Sequence, residues 1–146
     1  MRACLAGIIL AVSLCSCALL PPSLGGSESK GEQASASQQQ QLFDTASTLA
    51  DEVKAGRLTR IEAVDRLNAQ RLALVGSNSI DDDVFKTYRH LTVALQSGTI
   101  TQSVLRDRLK AKLEQARSRY EAMLPWQRPT PVFTNLLLQI YGQKKI

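Results

Sequence analysis

Cysteine is missing from almost the whole chain: Cys4, Cys15 and Cys17 are its three cysteines, and all lie within the first 17 residues. Everything downstream therefore has no disulfide framework, no thiolate metal site and no cysteine nucleophile. Histidine is nearly missing as well. His90 stands alone, which excludes a histidine metal cluster, and it falls off the apolar stripe of its segment, as a solvent-facing side chain would. No apolar run approaches the roughly 20 residues that cross a bilayer. Nucleophile elbows, phosphate-binding glycine loops and CxxC pairs are also missing. Asp81, Asp82 and Asp83 lack the glycine and spacing of a calcium loop, and read instead as acids favouring the start of a helix. No catalytic residue, metal or cofactor is expected.

What is there begins with the N-terminus. Arg2 precedes a short apolar block, Leu5, Ile8, Ile9, Leu10, Val12 and Leu14, followed by small residues. That order is the order of a secretory signal peptide. Its last four residues, Leu14-Cys15-Ser16-Cys17, resemble the lipobox of bacterial prolipoproteins: Leu three before the cysteine, a small residue just before it, then Cys. Cys15 is a departure, at the permissive middle position of the box. The resemblance implies removal of residues 1–16 as a signal peptide. Cys17 would then be the lipid-attachment residue, carrying the acyl chains that hold the protein to the membrane. Ala18, where an Asp would imply retention at the inner membrane, implies the outer membrane.

Residues 17–40 read as a flexible tether: Pro21-Pro22, Gly25-Gly26, scattered Ser and the glutamines Gln38 to Gln41 give nothing to bury, and the glutamines fit the start of the first helix as well. The formal charge of +5 does not mark a nucleic-acid binder. From Phe43 to Pro125 there are 13 Lys/Arg against 11 Asp/Glu, a net of +2. Anionic lipid, lipopolysaccharide or peptidoglycan are the more available partners for a tethered envelope protein.

Residues 41–124 read as a doubled helical hairpin. Displaced by 42 positions, Phe43 to Leu74 overlies Phe85 to Ala116 without a gap, and nine of 32 pairs are identical, among them Leu49/Leu91, Gly56/Gly98, Thr59/Thr101, Asp65/Asp107 and Leu67/Leu109. Leu42, Phe43, Ala46, Leu49, Ala50 and Val53 share a helical face; Val84, Phe85, Tyr88, Leu91, Thr92 and Leu95 repeat it. Gly56 and Gly98 fall where a helix ends in a left-handed residue. Thr59 and Thr101 follow as N-caps, the first with Glu62 in a capping box, and Leu58 and Ile100 precede them as staples. Each copy reads helix, Gly-x-(Leu/Ile)-Thr turn, helix. This turn weakly resembles the short bacterial helical module of the SHOCT type. Leu105, Leu109, Leu113, Ala116, Tyr120 and Met123 mark the core side of the fourth helix. The expected fold is all-α: two tandem hairpins forming a small four-helix bundle, plus a short apolar C-terminal helix.

Residues 125–146 are a Pro-rich hinge and an apolar segment. Pro125 to Pro131 should break the fourth helix and run extended, with Trp126 packed at the hinge. Val132 to Tyr141 is too apolar to stay in water. It either closes the domain through Phe133, Leu137 and Tyr141, or meets another protein or a second copy through Trp126, Phe133, Leu136, Leu137, Ile140 and Tyr141. Asp65 and Asp107 read as salt-bridged surface residues, and the basic series from Arg106 to Arg119 as a solvated face. The expectation is a non-enzymatic interaction or assembly lipoprotein of the bacterial envelope, of pilotin-like or secretion-associated plan, with the membrane and an envelope protein as partners. A lipid- or peptidoglycan-binding protein, a surface-exclusion lipoprotein and an envelope hydrolase are the alternatives.

Overall fold

A computed structural model describes residues 29–146, and every regular element in it is helical. The signal segment, Cys17 and the tether as far as residue 28 lie outside the described residues. Five α-helices follow one another: α1 (Ser29–Lys54), α2 (Arg60–Val75), α3 (Ser79–Gln96), α4 (Gln102–Ala122) and α5 (Val132–Ile140). No helix among the described residues is long and apolar enough to cross a membrane. Residues 29–40, at the end of the expected tether, are already helical. The glutamines there belong to the fold: Gln38 Nε2 donates to the Leu74 carbonyl at 2.9 Å, and Gln39 Nε2 to Gln139 Oε1 at 2.9 Å.

The two hairpin turns form by the same local chemistry. Gly56 and Gly98 hold φ of 71° and 74°, a region that a Cβ disfavours. At the first turn the Arg57 N–H reaches back to the Glu52 carbonyl at 2.9 Å and the Gly56 N–H to Val53 at 3.1 Å. At the second, Thr99 bonds Ala94 at 2.9 Å and Gly98 bonds Leu95 at 3.1 Å. Both are Schellman endings that use up the last carbonyls of the helix. Thr59 Oγ1 accepts from the Glu62 N–H at 3.2 Å, while the Thr59 N–H donates to Glu62 Oε2 at 2.8 Å, closing the capping box. Thr101 caps α4 by accepting the Val104 N–H at 3.4 Å. Leu58 and Ile100 are half-buried against the core.

The hairpins α1–α2 and α3–α4 are joined through α2 against α3, and α5 lies against α1, α3 and α4. The core follows the helical stripes: Leu42 and Leu49 from α1, Val64 and Leu67 from α2, Ile80, Val84, Phe85 and Leu91 from α3, and Leu105, Leu109, Leu113 and Ala116 from α4. The two copies diverge at their first aromatic. Phe85 is buried because α5 covers it, with the Phe133 ring edge-on at 5.4 Å, whereas Phe43 is partly exposed.

The tail turns back by a route unlike a plain extended hinge. Pro125–Gln127 forms one 3₁₀ turn. Arg128 then reaches back over the end of α4, its guanidinium donating to the carbonyls of Met123 (3.1 Å) and Glu121 (2.9 Å) and lying 5.4 Å from the centre of the Tyr120 ring. Those carbonyls have no helical partner of their own, so Arg128 caps α4 at its negative end. Trp126 is left 78% exposed rather than packed. Beyond α5, the last residues are strapped down: the Asn135 side chain donates to the Ile146 carbonyl and accepts the Ile146 N–H, each at 2.9 Å.

Candidate functional site

The tail residues that could have met a partner divide sharply. Phe133, Leu136 and Leu137 are buried inside the domain with Val132 and Leu138, so a partner cannot reach them in this fold. Their surface is satisfied internally, by Phe85 and Tyr88 against Phe133 at 5.4 and 6.0 Å. Trp126 and Ile140 are exposed, and Tyr141 is half-buried. The six residues do not form one surface.

α5 needs help to start, because Pro131 at its N-cap position has no side-chain acceptor. The acceptor comes from α3. Asp81, fully buried, takes the Phe133 N–H at 3.1 Å, the Thr134 N–H at 2.8 Å and the Thr134 hydroxyl at 2.8 Å. Asn78 Nδ2 adds a fourth bond at 3.0 Å, while Asn78 Oδ1 caps α3 itself by accepting the Asp81 N–H at 2.8 Å. A carboxylate on two free helix amides is a favourable cap, here supplied from 52 residues away. The neighbouring acids work elsewhere. Asp82 binds Arg71 of α2 at 2.7 Å, and Asp83 binds Lys112 and Arg119 of α4 at 2.8 and 3.5 Å. Burial pushes the Asp82 carboxyl up, but Ser77 and Arg71 together hold it below the ordinary range.

Arg71 is 2% exposed and takes the place, in the first copy, that Leu113 has in the second. Its guanidinium lies 5.7 Å from the centre of the Phe85 ring and also donates to Asn68 Oδ1 at 2.9 and 3.1 Å. The stem fills core space and the head reaches Asp82.

With α5 committed to the interior, the described residues leave an apolar trough of about 330 Å³ between the two hairpins. Leu49 and Val53 of α1, Val64 and Leu67 of α2, Leu95 of α3 and Leu105 of α4 line it. Tyr88 and Tyr141 stand at its α5 side. Burial raises both phenols above their ordinary range; Tyr141 adds to the rise at Tyr88, and Arg106 opposes the rise at Tyr141. Lys54 and Arg60 are on the lip, and no carboxylate lines the trough. Sequence reasoning had Leu49, Val53, Leu95 and Leu105 on core faces and did not see that the hairpins leave a gap between them. The signal in hindsight is Ala46, Ala50 and Ala63, small residues at positions where the second copy has Tyr88, Thr92 and Leu105.

The other singled-out residues sit apart from the trough. His90 is exposed. Asp65 receives two bonds from the Arg89 guanidinium, at 2.7 and 3.0 Å, which lowers its carboxyl below the ordinary range. Asp107 and Arg108 are exposed, and Arg66 pairs loosely with Glu52 at 3.9 Å. Among the described residues no three His, Cys, Asp or Glu side chains gather as a metal site. No family model, curated protein or solved structure matches the chain.

Proposed function

We propose that the chain is a lipoprotein of the bacterial envelope, held to the outer membrane through an acylated Cys17, whose helical domain is a non-enzymatic interaction module. The anchor rests on Leu14-Cys15-Ser16-Cys17 behind its short apolar block. One observation carries the module reading: the domain hides its most apolar segment, α5, in its own interior, and no described residue covers the trough between the hairpins. An uncovered apolar trough in a domain that has a spare apolar helix, and uses it elsewhere, is a place for something else to bind. The finer architecture we read as a doubled hairpin of four-helix-bundle type with α5 wedged in. The paired turns at Gly56 and Gly98 and the packing of α2 on α3 support it.

Binding of anionic lipid or peptidoglycan by the basic side of α4 is the second reading. Its support is Arg106, Arg108 and Lys110, which pair with no carboxylate among the described residues. Lys112 and Arg119 are taken up by Asp83, which leaves that face weaker than the run of cations suggests. Of the two carboxylates a hydrolase reading would draw on, Asp65 is engaged by Arg89.

The anchor is tested by metabolic labelling with a clickable fatty acid. Wild type should carry label and sediment with membranes, and Cys17→Ser should do neither. Label that persists in Cys17→Ser, or that maps to Cys15, contradicts the assignment.

A further inference from the structure

Four helices wall the trough, and helix backbones bond within themselves, so the walls have no sheet edge for an incoming chain to pair with. An extended segment laid there would bury N–H and C=O groups without partners, at about 1–3 kcal/mol for each. A helix arrives with its own groups satisfied and needs only side chains to fill the gap. The lips suit that geometry: Ala50 is small and exposed, and Ala46 and Ala63 are half-exposed, so an incoming helix can come close. One side of the trough is open to water. An acyl chain would stay half wet there, while an amphipathic helix has a polar face to turn outward.

Charge narrows the occupant further. Among the described residues the lining contains Lys54 and Arg60 and no Asp or Glu, and Arg106 directly follows the lining residue Leu105 on α4, where its charge opposes the rise at the Tyr141 phenol. Lys54 is held by Asp51 at 2.9 Å, but Arg60 and Arg106 pair with no carboxylate among the described residues. A second copy of this chain would bring a net positive domain to a positive lip. Resting on the interaction-module reading, we propose that the trough takes an amphipathic helix of another protein whose apolar stripe is flanked by acidic residues. Its leucine-sized side chains fill the gap above Leu49, Leu67 and Leu105, and its carboxylates meet Arg60 and Arg106.

The test uses the full chain in phosphatidylcholine nanodiscs, with empty nanodiscs subtracted, and two fluorescent designed helices. Both peptides carry leucines at i, i+3, i+4 and i+7; one has glutamates on the flanks and the other lysines. Fluorescence anisotropy should show the glutamate peptide binding more tightly than the lysine peptide, less so as salt rises. Ala50→Trp, which fills the trough from an exposed position, should weaken that binding about tenfold or more. The pair Arg60→Glu with Arg106→Glu should invert the preference between the peptides, an effect that a merely misfolded variant cannot produce. Equal binding of both peptides, binding unaffected by Ala50→Trp, or binding of a fluorescent fatty acid but of neither peptide overturns the proposal. So does self-association that Ala50→Trp abolishes. A photo-cross-linker at Trp126 or Ile140 separates this failure from failure of the wider reading. An envelope protein trapped from those sites, with both peptides inert, sinks the trough proposal and leaves the interaction module standing; no trapped protein and no bound peptide sinks both.

Discussion

Asp81, Asp82 and Asp83 are consecutive in the chain and serve three different helices. Asp81 caps α5, Asp82 holds Arg71 of α2, and Asp83 holds Lys112 and Arg119 of α4. Their effect on the start of their own helix was legible from composition, because acids favour the positive end of the dipole. Their long-range partners were not. Nothing local links Asp81 to Phe133 and Thr134, although Pro131 does announce a helix that cannot cap itself. Arg71 was missed for a related reason: a lone arginine gives no local sign that Asn68, Asp82 and Phe85 converge on it. The structural consequence is sharp at Asp81. Asp81→Ala leaves two amides and a hydroxyl buried without an acceptor, and should destabilise the domain by about 2–3 kcal/mol. Chemical denaturation checks this: the midpoint should fall while the slope stays as in wild type. Asp107→Ala, on the exposed side of α4, should leave the midpoint unchanged within about 0.5 kcal/mol.

Elements were more readable than residues. Turns are decided over a few neighbouring positions, so Gly56, Thr59, Gly98 and Thr101 announced the two hairpins without help from tertiary structure. The stripe on α4 was equally local, and Leu105, Leu109, Leu113 and Ala116 are all buried as their spacing requires. Packing decides the rest. α1 begins at Ser29 and takes in the glutamines, where Gln38 and Gln39 find partners on α2 and α5 that a polar composition cannot reveal. Trp126, expected either packed at the hinge or as a partner contact, is exposed, and Arg128 covers Tyr120 and the end of α4. A Cβ at Gly56 or Gly98 meets no atom within 4 Å, so the penalty for a side chain is backbone strain alone. Gly56→Val and Gly98→Val should each cost about 1–2 kcal/mol, and similar amounts, because the two turns share one conformation. Calorimetry in which either variant melts as wild type would mean that the positive φ is not held.

At the scale of the molecule, an all-helical fold could be foreseen from the periodic faces and the paired turns. That α5 is core could be argued from its apolarity but not located, because its neighbours on α1, α3 and α4 come from three distant stretches. Burial of Val132, Phe133, Leu136, Leu137 and Leu138, at about 1.5–3 kcal/mol for each side chain as an upper range, amounts to roughly 10 kcal/mol. This is a gross term, offset in large part by the ordering of the nine residues of α5. The tail's apolar side chains are taken up by its own domain, and this is why the trough, not the tail, becomes the candidate binding surface. Native-state hydrogen exchange tests that claim most directly. Amides of Leu136, Leu137 and Leu138 should open only with global unfolding, as slowly as those of Leu109 and Leu113 in α4. If the α5 amides exchange orders of magnitude faster than the α4 amides under the same conditions, α5 is a separable segment and the account is wrong.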